Sequence, residues 1–72
     1  MEFLEGQVFI NSDGSKMRIT TVIPVTRWFA QVRFVIIGQE TLGEIYVGSK
    51  ELELGIDLNK ITLDKDLTEI ED

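Results

Sequence analysis

The stretch "TRWFAQVRFVIIG", Thr26 to Gly38, constrains the fold more than any other part of this chain. Successive side chains of an extended chain point to opposite faces. Trp28, Ala30, Val32, Phe34 and Ile36 therefore share one face, and Arg27, Phe29, Gln31, Arg33, Val35 and Ile37 share the other. The first set is wholly apolar and the second is mixed, the pattern of a strand with one buried face. Trp28 is expected to point inward as the core anchor. On that reading Trp28→Ala costs about 3–5 kcal/mol and unfolds the domain.

The flanking sequence supplies partners for this strand. "GQVFI" (residues 6–10) is short and β-favouring, and "NSDG" after it is a strong turn. "KMRITTVI" alternates, with Met17, Ile19, Thr21 and Ile23 on one face and Lys16, Arg18, Thr20 and Val22 on the other. Pro24 ends that strand because it cannot donate to a ladder. "PVT" then turns the chain directly into the central strand. "GQETLGE" connects to a fourth strand, "EIYVG". Ser49 is expected to cap a helix over "KELEL" that stops at Gly55, and Lys60–Leu63 is expected to close the sheet as a fifth strand.

Seventy-two residues allow one core. The expected division is a single domain over residues 1–63 and an acidic tail over 64–72. An apolar share of 43% suffices for a folded core, but a chain this short buries only about 60% of its unfolded surface. No cysteine is present to staple it. The amino-terminal "MEFLEGQ" carries acids where a secretory signal needs bases. The longest apolar run, "FVII", is far short of the roughly 20 residues that cross a bilayer. The expectation is a cytoplasmic protein with no membrane partner.

The strand–turn–strand "GQVFINSDGSKMRITTV", the central "WFAQVRF" and the helical turn before the last strand together resemble the SH3-like small β-barrel domains. Those include chromatin- and ribosome-associated versions and small barrel proteins of phage genomes. The resemblance is one of element pattern across residues 5–63. It implies a five-stranded, strongly bent antiparallel barrel with one short helical turn, and a role in holding another macromolecule. An OB-like barrel or a small α+β sheet satisfies the same pattern.

The residue inventory argues against catalysis. Histidine is absent, removing the commonest general base and transition-metal ligand, and without His or Cys no nucleophilic triad can form. The glycines at 6, 14, 38, 43, 48 and 55 never adopt a phosphate-cradling spacing. "FINSDG" lacks the first and last ligands of a calcium loop and reads as a turn. No catalytic residue, cofactor or metal site is expected.

Two binding surfaces stand out. The net charge of −6 is unevenly spread: residues 1–37 carry four bases against three acids, and residues 38–72 three bases against ten acids. Glu40, Glu44, Glu51, Glu53 and Asp57 are the candidate contacts for a protein with a basic surface, since charge complementarity speeds encounter and selects partners. A phage-encoded inhibitor or accessory protein has this build. The alternative is nucleic acid held by Lys16, Arg18, Arg27, Phe29 and Arg33, where guanidinium groups meet phosphates and the ring stacks on a base. The global negative charge disfavours that second partner. "RFVII", if it lies at an edge, also allows pairing with a second copy, with Phe29 and Tyr46 in the interface.

Overall fold

The computed structural model describes residues 2–65. Its five strands are β1 (Val8–Asn11), β2 (Lys16–Pro24), β3 (Ala30–Ile36), β4 (Ile45–Gly48) and β5 (Ile61–Leu63). A 3₁₀ turn, Glu40–Leu42, precedes β4, and one helix, α1 (Ser49–Asp57), separates β4 from β5. The strands make one antiparallel sheet in the order β4-β3-β2-β1-β5. The sheet is not closed into a barrel: β4 and β5 are its opposite edges, and α1 spans the interval between them, touching both.

The β1–β2 turn forms where its residue types require it. Gly14 takes φ +88°, a conformation cheap only for glycine. The Asp13 carboxylate accepts from the Ser15 hydroxyl (2.6 Å) and the Ser15 N–H (2.9 Å). Those two bonds hold the Asp13 carboxyl below its ordinary pKa.

The core is one cluster under α1, containing Phe3, Phe9, Met17, Ile19, Val32, Phe34 and Leu52. Phe3 meets Phe9 edge-on, with ring centroids 6.0 Å apart. Val8 and Phe9 both have 0% exposure, so β1 is covered on both faces. Gln7, also buried, accepts from the Leu4 N–H through its side-chain carbonyl (2.9 Å).

Several expectations require correction. Trp28 is not in the core: it is 76% exposed and precedes β3. Pro24 does end β2, and the chain then spends five residues, Val25 to Phe29, on the turn before Ala30 pairs with Pro24. Alternation therefore starts at Ala30, where the expected inward face is correct for Val32 and Phe34.

In β2 the register shifts between Ile19 and Thr21, leaving Thr20 as a bulge. The extra residue reverses the faces beyond it, so Val22 packs on the core while Ile23 pairs with Gln31 on the outer face. The Thr20 hydroxyl, displaced from the ladder, donates to the Glu44 carboxylate and lies 3.2 Å from the Arg33 carbonyl.

The cap of α1 is Gly48, and Ser49 is its first residue. Ser49 Oγ instead accepts from the Ala30 N–H at 3.0 Å, tying the helix to the start of β3. Gly55 does not stop the helix. It is interior, where a β-carbon would lie 2.6 Å from Ile61 Cδ1, so its bareness lets β5 approach. The chain leaves the helix through Asn59 at φ +58°. In the acidic tail, Asp64 extends the sheet edge by donating its N–H to the Val8 carbonyl (2.8 Å). The expectations for Asp66 onward lie outside the described residues.

Candidate binding clefts at the β2–β3 hairpin tip

The turn carrying Trp28 is a formed structure. Val25 and Thr26 both donate their N–H to the Phe29 carbonyl (3.0 Å each), and Thr26 Oγ1 accepts from the Trp28 N–H (3.3 Å). Val25 and Trp28 project into solvent, and the Arg27 guanidinium lies 5.8 Å from the Trp28 ring centroid.

Phe29, at the root of the turn, is the wall between two clefts. One, of about 650 Å³, runs between the turn and the start of α1 and is lined by Glu2, Phe3, Pro24, Trp28, Phe29 and Glu53 among others. The second, of about 280 Å³, lies toward β4 and is lined by Val25, Phe29, Gln31, Tyr46, Gly48 and Glu51. Gly48 makes room for the shared ring: a β-carbon there would sit 2.8 Å from Phe29 Cε2. Beside the second cleft, the Arg33 guanidinium stacks 4.6 Å from the Tyr46 centroid and its Nε donates to Gln31 Oε1 (3.3 Å). Aromatic walls with carboxylates at the rim suit an amphipathic cationic group, through ring–cation attraction and charge pairing.

The acids expected to form one surface are divided. Glu51 and Glu53, two apart on α1, fall on different sides of the helix, and each borders one cleft. Asp57 is exposed one turn beyond Glu53. Glu40 is turned onto its own loop, accepting from the Gly38 N–H at 2.6 Å, a bond that holds its carboxyl below the ordinary range. Glu44 is engaged by Thr20.

The basic set is divided as well. Lys16 pairs with Asp64 at 3.0 Å, at the far end of β2 from the turn. Eight residue steps at about 3.3 Å place that end roughly 25 Å from Pro24. Arg18 faces Val8 and Val35 on the same distal half. Only Arg27, Phe29 and Arg33 of that set stand near the clefts.

Trp28, Val25 and Glu2 join the site although no contact was expected of them, and Tyr46, expected only in an interface with a second copy, lines the smaller cleft with Gln31. The signal for Trp28 was Pro24: a ladder that stops there cannot resume before the chain has turned, and Trp28 follows by four residues. Among the described residues no three Asp or Glu side chains gather as a cation site, and no helix is long and apolar enough to cross a membrane. No protein-family model, curated protein or solved structure matches the chain.

Proposed function

We propose that the protein is a small noncatalytic binding module for a protein with a basic surface, and that its contact surface is the aromatic hairpin tip with the two clefts beside Phe29. The observation that carries this reading is Trp28 standing 76% exposed while Phe3, Phe9 and Phe34 are buried. A large aromatic side chain held in solvent on a hydrogen-bonded turn favours a partner that covers it. Glu2, Glu51 and Glu53 around the clefts, with the net charge of −6, favour a cationic one. The acidic contact surface thus narrows from five carboxylates to the two on α1 that border aromatic walls, joined by Glu2. We read the bent sheet, strapped edge to edge by a helix, as an opened SH3-like architecture. A phage-encoded inhibitor or accessory protein remains the biological role this build suits best.

Two guanidinium groups seated on rings, Arg27 on Trp28 and Arg33 on Tyr46, favour a second reading. In it, Trp28, Phe29 and Tyr46 stack bases of a single strand while the two arginines meet its phosphates.

Trp28 is the sole tryptophan and so reports on the tip by itself. Titration with a lysine-rich peptide should shift its emission to the blue, more weakly as salt rises, with no response to a glutamate-rich peptide. No response to the basic peptide would overturn the first reading. Micromolar binding of oligo-dT, lost in Arg27→Ala plus Arg33→Ala, would establish the second in its place.

A further inference from the structure

β4 is the outermost strand, and among the described residues no strand lies beyond it. Protein edges of this kind are usually blunted by lysine, proline or a bulge. "IYVG" has none of these. Ile45 points to the helix-covered side, opposite Phe34, yet is 46% exposed because no further strand covers it. Tyr46 is 57% exposed on the other face, beside the smaller cleft.

Glu51 lies in the first turn of α1 after this edge, next to Lys50, and borders the smaller cleft, whereas Glu44, just before the edge, is turned back across β3 to Thr20. Two copies pairing along β4 would bring together chains that each carry a net charge of −6, like charge to like charge. A cationic segment meets no such opposition.

We propose that β4 accepts an extended, lysine- or arginine-bearing segment of a partner protein as a sixth strand, with its apolar residues covering Ile45 on one face and its cationic side chains entering the cleft between Phe29 and Tyr46 on the other. Main-chain hydrogen bonds supply affinity in this mode, and the cleft with Glu51 at its rim supplies selectivity. The inference rests on the basic-partner part of that reading and is independent of the hairpin-tip contact: it engages β4 and the smaller cleft and needs no contact at Trp28.

The test uses the full chain, labelled with ¹⁵N, and an octapeptide alternating lysine and valine. The β4 amides that point away from β3 should exchange with solvent about tenfold more slowly or better when peptide is present. Contacts from the peptide backbone to residues 45–48 should appear. Ile45→Lys should abolish that protection while its dispersed spectrum shows an intact fold. Glu51→Lys should move the preference toward a glutamate–valine peptide.

A blue-shifted Trp28 without β4 protection would overturn the sixth strand and leave the hairpin-tip reading standing. Protection with Trp28 unmoved would establish the strand and overturn that tip reading. Protection that rises with protein concentration, without peptide, would overturn the proposal in favour of a second copy. No protection and no shift would reject both proposals.

Discussion

Asp13 links a single proton to the β1–β2 turn. Its carboxylate accepts two bonds from Ser15 in the folded chain, and these lower its pKa from the ordinary 3.8. A lowered folded-state pKa means that the unfolded chain binds the proton more readily. The contribution to stability is therefore complete above the ordinary value and is lost as pH falls through the lower folded one. Unfolding curves from pH 6 down to pH 2 should show this loss, and Asp13→Asn should remove that part of the pH dependence.

At Trp28 the side chain is mostly in water, so Trp28→Ala should change stability by no more than about 0.5 kcal/mol by chemical denaturation. That contrasts with the unfolding expected when the indole was assigned to the core. Phe9, at 0% exposure, is where such a penalty belongs: Phe9→Ala should cost about 3–5 kcal/mol.

Among the elements, β2 and β3 were legible in the sequence from a two-residue apolar period and β1 from a short apolar run, each bounded by a turn former. Val32 and Phe34 were assigned to the buried side by that period, and Met17 and Ile19, set together on one face, are buried as well. The bulge was not legible. Nothing in "ITTVI" marks Thr20 as the extra residue, since threonine sits equally well in a regular ladder. Its position is set by neighbours distant in sequence, the Arg33 carbonyl and Glu44.

Deleting Thr20 should remove the bulge and leave a regular ladder, with Ile19 opposite Phe34, Thr21 opposite Arg33 and Val22 opposite Val32, so that Val22 stays on the core side. The cooperative unfolding transition should be kept, at a lower midpoint because the contacts of Thr20 with Glu44 and the Arg33 carbonyl are lost. The milder Thr20→Val keeps the bulge but not its hydroxyl, and should cost about 1 kcal/mol.

The helix ends escaped the sequence reading for a related reason. Gly55 looks like a stop by local rules, yet its value lies in the contact with Ile61, which becomes a neighbour only after β5 has crossed to β1. The candidate site was legible only in part. Glu51, Glu53, Arg27, Phe29 and Arg33 were named from charge and alternation. Their grouping around one ring depends on the turn's length, which alternation does not encode.

For the whole molecule, the marginal stability expected of 72 residues, roughly 4–11 kcal/mol, sets the scale of the Phe9 penalty, which removes about a quarter of it or more. Phe9→Ala should lower the midpoint of thermal unfolding, followed by circular dichroism, by about 12 °C or more. Strand order also carries a consequence for assembly. β1 through β4 follow one another as neighbours, so their pairings close over short intervals of chain. β5 is the exception: it reaches Phe9 through Leu63 only after α1 has carried the chain from one side of the sheet to the other. Closing that loop comes at a higher entropic cost than any hairpin in the molecule. The last and slowest event in folding should therefore be the meeting of β5 with β1, and a nascent chain ending before residue 61 would emerge as a four-stranded meander waiting for its final partner.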